Sequence, residues 1–178
     1  MAILALPGQA QKYHDALIQE AKGNVKSINS GGWLYEYGSD GALKKILQGK
    51  GEIIFDITRN PSSRYVETFT VYQDGNRAEA LYKNVYEYKG GLVSSYACIA
   101  LGGMFRELLG DSSVEFYYGN GLCTGSKSKS GAGIVVEYVY DNIKVDNNGN
   151  WISRDVYQLS DGEKTFQQTE TREITYWN

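Results

Sequence analysis

The sequence predicts a mainly β fold: a twisted antiparallel meander that curls into a barrel-like or two-layer sheet, with an N-terminal helix and one short internal helix. Three observations carry this. The 178 residues include 15 Tyr and 21 Gly against only 2 Pro; tyrosine suits a pleated, half-buried surface, and glycine supplies the positive φ angles of tight hairpins. Turn pairs recur along the chain at Asp40-Gly41, Asp74-Gly75, Gly90-Gly91, Asn120-Gly121, Asn148-Gly149 and Asp161-Gly162, each between runs of strand formers. Sequence neighbours joined by such short turns pair in space, which makes a meander.

The elements follow in order. Residues 9–22 place Ala10, Tyr13, Leu17, Ile18 and Ala21 on one helical stripe, and Gly23-Asn24 supplies the stop. A short first strand follows at Val25 to Ile28. From Trp33 the period becomes two: Trp33, Tyr35 and Tyr37 share one face and Glu36 takes the other. Ile53, Phe55 and Ile57 fall together, Tyr86 and Tyr88 flank Glu87, and Tyr138 and Tyr140 lie on one side of a later strand. Residues 92–101 are apolar or small on both faces, the pattern of a strand covered on both sides. Met104, Phe105, Leu108 and Leu109 then space themselves for two turns of helix capping one end of the core. Residues 125–133, rich in Gly, Ser and Lys, read as a flexible loop. Residues 11–178 read as a single domain, a length that buries a core without staples.

Residues 1–10 read as the remnant of a signal peptide: a short apolar run, then the small-x-small pattern Gly8-Gln9-Ala10, with the basic leader missing. A short native strand is the other reading. Cys98 and Cys123 are compatible with one disulfide in an exported chain, or with two buried free thiols. No apolar run approaches the ~20 residues of a membrane-spanning helix, so no transmembrane segment is expected. A net charge of −3 leaves no basic stripe for nucleic acid, and Lys127 and Lys129 read as a solvated turn.

Several phrases carry a resemblance. Residues 22–28 (KGNVKSI) lead into 35–45 (YEYGSDGALKK); Tyr140-Asp141 leads to 146–154 (DNNGNWISR); and 170–177 (ETREITYW) closes the chain. These resemble the YD-repeat (Rhs-like) β-hairpin proteins of the bacterial cell envelope, over about residues 22–47 and 136–177. The resemblance implies hairpins acting as shells, stalks or surface modules without catalytic activity. It also implies a secreted, periplasmic or cell-surface location in a bacterium.

Catalytic chemistry finds little footing. Nucleophilic triads need a histidine, and the one present, His14, lies off the apolar stripe of the predicted helix. Two cysteines 25 positions apart and a remote histidine do not make a metal site. Residues 141–150 are rich in oxygen donors but lack the calcium-loop order, and read as a hairpin. Glu67, Glu79, Glu115 and Glu137 are the carboxylates from which a glycosidase pair could be drawn. No glycine-rich phosphate cradle is present, and no cofactor is implied. The remaining feature is aromatic: Trp33, Tyr35, Tyr37, Tyr86, Tyr88, Tyr138 and Tyr140 form either a platform for sugar rings or a partner, or a core-facing layer with Glu36, Glu87 and Glu137 outward. The expected function is an exported structural or interaction module without catalytic activity, its partner another envelope protein or a polysaccharide. The alternatives are a glycan- or small-ligand-binding domain using an aromatic sheet face, and a carboxylate-dependent hydrolase.

Overall fold

The computed structural model describes residues 11–73 and 76–178; the signal-like residues 1–10 and the Asp74-Gly75 turn lie outside the described residues. Thirteen strands are described: β1 (Val25–Ser30), β2 (Trp33–Tyr37), β3 (Leu43–Gln48), β4 (Gly51–Glu52), β5 (Phe55–Arg59), β6 (Val66–Gln73), β7 (Asn76–Lys89), β8 (Leu92–Ala100), β9 (Ser112–Gly119), β10 (Leu122–Ser130), β11 (Val135–Val145), β12 (Trp151–Ser160) and β13 (Glu163–Tyr176). A short helix, α1 (Gly103–Leu108), lies between β8 and β9. The predicted turn pairs do their work: Asn120-Gly121 and Asp161-Gly162 both take two successive positive φ angles, as a two-residue hairpin requires.

All thirteen strands belong to one antiparallel sheet, in the order β4-β3-β2-β1-β13-β12-β11-β10-β9-β8-β7-β6-β5. The chain therefore winds as a meander whose first strand pairs with its last. The sheet is not closed into a barrel, because β4 and β5 are its two ends. Only Ile53 and Ile54 separate those ends along the chain. The Ile53 N–H donates to Ile46 of β3 (2.9 Å), and the Ile54 carbonyl accepts from the Tyr72 N–H of β6 (3.0 Å). One chain segment thus passes from one edge to the other, so the sheet has to curl on itself. The main core fills that curl, with Ile28, Leu43 and Ile46 on one side meeting Val66, Phe69 and Val71 on the other.

The N-terminal helix expected over residues 9–22 is not formed. Where it is described, the segment is a single 3-10 turn, Asp15–Gln19, that ends at Glu20 in a left-handed conformation (φ 54°). Tertiary bonds to its polar groups compete with a regular helix and win. The Asp15 carboxylate is fully buried, accepting from Nε and Nη2 of Arg59 on β5 and from the Leu43 N–H of β3 (2.8 Å). Arg172 of β13 donates to the carbonyls of Gln19, Glu20 (3.0 Å) and Trp151 (2.6 Å). Asn150, just before β12, bonds both the N–H and the C=O of Lys22 (2.8 and 2.9 Å). The segment is a polar plug inside the curl, with Ala16 and Ala21 as its buried apolar contacts.

Three further expectations are corrected. The helix α1 sits where predicted, and Phe105 stacks on Tyr82 (5.0 Å between centroids), but Leu108 is 74% and Leu109 59% exposed, so neither leucine caps the core. The strand β8 is not covered on both sides, since Ala97 and Ile99 reach the surface. The loop expected over 125–133 is mostly strand: β10 runs to Ser130, with Gly125 and Ser126 buried and Lys127 and Lys129 exposed.

Candidate ligand-binding groove

Strand alternation sorts β8 to β13 into two faces. On the outer face Glu87, Ser95, Glu115, Lys127 and Glu137 stand side by side across five strands, β7 to β11. On the inner face the register sets Phe116 beside Ser126 and Ser126 beside Tyr138; Tyr96 beside Val114 and Val114 beside Ser128; and Tyr140 beside Val156. Curling makes that inner face concave. The result is a groove of about 540 Å³ lined by these side chains together with Gln167, Gln168 and Glu170 of β13.

Gly125, next to Ser126 but on the opposite face of β10, permits the close approach of β10 and β11, because a Cβ there would stand 2.6 Å from the Tyr138 carbonyl oxygen. The Tyr140 hydroxyl shares a hydrogen bond with Ser126 Oγ (2.9 Å). Burial pushes the Tyr140 phenol up to about 12, against the lowering influence of Arg154, so it stays neutral and available for hydrogen bonding. Tyr86, Tyr96 and Phe116 continue as a row of rings 5.6 and 6.0 Å apart.

Arg154 does not line the groove but packs against two residues that do, Tyr140 and Glu170. Its guanidinium lies over the rings of Tyr140 (3.7 Å) and Trp151 (4.1 Å), and it pairs with Glu20 on the plug and Glu170 on β13, both at 2.8 Å. Burial pulls its pKa down, but Glu20, Tyr140 and Glu170 outweigh that and raise it, so Arg154 is a fixed cation. Both carboxylates are therefore already neutralised. Glu170 is the charged side chain among those lining the groove, which otherwise presents rings, hydroxyls and amides.

The seven aromatics expected to form one platform are divided. Tyr138 and Tyr140 line the groove. Trp33, Tyr35 and Tyr86 line a smaller chamber of about 170 Å³ between β2–β3 and β6–β7. Tyr37 is buried, and Tyr88 packs on Tyr65 (4.7 Å). The outward-facing Glu36 and Glu87 fit the core-layer alternative for their neighbours. A strand twist carries one alternating pattern past different surroundings, so equal patterns do not guarantee one shared site.

Glu67, Glu79, Glu115 and Glu137 are not brought together in a cleft: Glu115 and Glu137 flank Lys127 on the outer face, and Glu67 accepts from Asn60 Nδ2 (3.0 Å). Cys98 and Cys123 are both free. Cys98 lies beside Ser112 and Cys123 beside Tyr118, positions ~20 Å apart along β9 at the strand rise, far beyond disulfide reach. Burial raises the Cys123 thiol to about 12. Among the described residues no cluster of His, Cys, Asp and Glu could hold a metal ion, and no helix is long and apolar enough to cross a membrane.

The sequence reading missed Tyr96, Phe116, Ser126, Ser128, Gln167, Gln168 and Glu170, and Arg154 behind Tyr140. The Ser126-Lys127-Ser128-Lys129 run alternates with period two and so carried a strand signal, one that its loop-like composition masked. No family model matches the chain, and no curated protein matches it.

Proposed function

We propose that this domain binds a small, uncharged, ring-bearing ligand in the concave groove, and that the ligand is a glycan. The observation that carries the reading is a groove of about 540 Å³ with four aromatic side chains, Tyr96, Phe116, Tyr138 and Tyr140, beside the amides of Gln167 and Gln168. That volume falls within the ~300–1,000 Å³ of small-molecule sites. Aromatic faces stack on the apolar faces of sugars while hydroxyls and amides bond their rims. Among the described residues lining the groove none is a cation, so phosphate and carboxylate ligands find no charged partner in that lining. A polysaccharide, one of the two partners expected from the sequence, has the required chemistry. On this reading the protein is an exported bacterial binding module without catalytic activity.

The test is isothermal titration of the purified chain with neutral soluble oligosaccharides and peptidoglycan fragments. Saturable binding that falls roughly tenfold in Tyr138→Ala supports the reading, a loss of ~1.4 kcal/mol as expected for one stacking ring. A flat response across the panel refutes it.

A second reading, a module that docks another protein, rests on apolar surface at one end of the sheet. There Leu101, Leu108, Leu109, Ile134 and Val135 are all exposed, around the point where Asp111 accepts from the Ala100 N–H (2.9 Å). Exposed apolar patches of this kind mark contact sites. Affinity capture from envelope extracts with the wild type and with Leu108→Lys tests it: a protein retained by the wild type and lost with the variant supports the reading, and equal retention refutes it.

A further inference from the structure

The groove has two unlike walls. Its rings, Tyr96, Phe116, Tyr138 and Tyr140, come from β8 to β11, whereas Gln167, Gln168 and Glu170 all come from β13. Strict alternation would send the neighbours Gln167 and Gln168 to opposite faces of β13. A bulge prevents that. Val156 of β12 pairs with Gln168 but Tyr157 pairs with Phe166, so Gln167 is an extra residue and both amides join the lining. Across the floor Tyr140 pairs with Val156 and Val156 with Gln168. Ring and amide therefore stand two strand spacings apart, ~10 Å, over a small buried valine. A sugar ring lying on the aromatic wall turns an edge toward β13.

Glu170 is the charged group on that polar wall. Its Oε2 accepts from Arg154 Nε (2.8 Å). Among the described residues its Oε1 meets the Gln168 amide alone, at 3.5 Å, a distance at which little of a hydrogen bond remains. The Glu170 side chain is 32% exposed, and the Gln168 amide beside Oε1 is itself an exposed part of the groove lining. The arginine thus fixes one carboxylate oxygen and leaves the other facing the groove. A carboxylate oxygen only accepts, so it takes a hydroxyl and repels a second carboxylate. Arg154 is committed elsewhere, since its Nε, Nη1 and Nη2 donate to Glu170 and Glu20.

Building on the glycan reading, we infer that Glu170 sets the specificity of the groove: its Oε1 accepts from a hydroxyl of a neutral sugar ring, and its charge excludes the corresponding uronic acid. The aromatic wall holds a ring, and the β13 wall selects rings by what their edge carries. On a ring that donates to Oε1, a carboxylate substituent shares the same hollow with Glu170, where charges are poorly screened. The repulsive element discriminates as much as the attractive one.

Isothermal titration of the intact chain tests this with neutral oligosaccharides of glucose, galactose and N-acetylglucosamine, each beside the same chain oxidised at C6 to its uronate. The wild type should bind a neutral chain at least tenfold more tightly than its uronate. Glu170→Gln keeps the shape and removes the charge. It should weaken the neutral chain by about tenfold, the loss of a charge-assisted bond, and tighten the uronate. Glu20→Gln takes the other carboxylate from Arg154 without changing the groove lining, and should keep the wild-type ratio. Equal wild-type affinity for a neutral chain and its uronate overturns the inference, and that comparison decides by itself if Glu170→Gln does not fold. Equal weakening of both chains in Glu170→Gln also overturns it, as the mark of a merely structural role. Either result leaves the glycan reading standing, whereas no binding of any neutral chain removes both.

Discussion

Replacing Asp15 by alanine removes the brace that holds the two ends of the sheet together. One carboxylate, with 0% exposure, accepts from Arg59 on β5 and from the Leu43 N–H on β3. These strands lie at or next to opposite ends of the strand order. Breaking a buried pair by deleting one partner costs about 3–5 kcal/mol. The figure belongs at the low end here, because the Arg59 side chain is 23% exposed and keeps water as well as its contact over the Tyr13 ring (4.6 Å). The Leu43 N–H, left buried without an acceptor, accounts for about 1–3 kcal/mol of that loss. A net loss of about 3 kcal/mol corresponds to a fall in Tm of about 6–12 °C for a chain of this size. Urea denaturation followed by tryptophan fluorescence gives the free energy, and circular dichroism gives the Tm. Hydrogen exchange should quicken at β3 and β5 before the other strands. A loss below about 1 kcal/mol is what exposed ion pairs give, and it would refute the idea that Asp15 braces the curl.

Three further outcomes follow from particular residues. Gly41 has φ +80°, and a Cβ there would stand 2.1 Å from the Tyr13 carbonyl oxygen, whereas Gly162 at φ +83° has open space. Gly41→Ala should therefore cost at least about 2 kcal/mol and Gly162→Ala only about 1 kcal/mol in the same melt. Asp146 is raised by burial but lowered further by hydrogen bonds from the Tyr176 hydroxyl and the Asn150 and Asn148 N–H groups, for a net depression. A depressed carboxylate stabilises above its unfolded pKa and loses that contribution as pH falls through its folded value. The stability gap between wild type and Asp146→Asn should thus be full at neutral pH and shrink below about pH 4, as denaturation curves across pH will show. Thiol titration under non-reducing, denaturing conditions should find both Cys98 and Cys123 reactive, and the native protein should protect Cys123.

The sequence made the meander legible because hairpin geometry is local. Asn120-Gly121 and Asp161-Gly162 need only their own φ angles and the flanking strand formers to set the register of a pair. The N-terminal segment was misread because its apolar spacing is helical while its fate is decided at long range, by Arg59, Arg172 and Asn150, which lie 44 to 153 positions away. The groove was half legible for a related reason. Alternation shows that Tyr138 and Tyr140 share a face, but only the curl of the sheet reveals that β8 and β13 converge on the same hollow. One signal was there to be used: Arg172 falls in step with Ile174 and Tyr176, so a charge occupies the inward stripe of β13. A cation on a core-facing register position requires buried acceptors, and the carbonyls of the plug are those acceptors.

Arg154 links the plug to the groove. Its guanidinium forms the support behind the Tyr140 ring and is held from two sides by Glu20 and Glu170. Removing Glu20 would leave the cation with one carboxylate, Glu170, and weaken its hold against the Tyr140 ring. The polar plug is for that reason more than a filler of the curl. Apolar residues of equal volume could fill the space, and replacing buried ion pairs in this way is often neutral or stabilising, but such residues would not hold a planar cation against Tyr140. The buried charges therefore fix the position of a ring on which the proposed ligand rests, a role in preorganisation instead of stability alone.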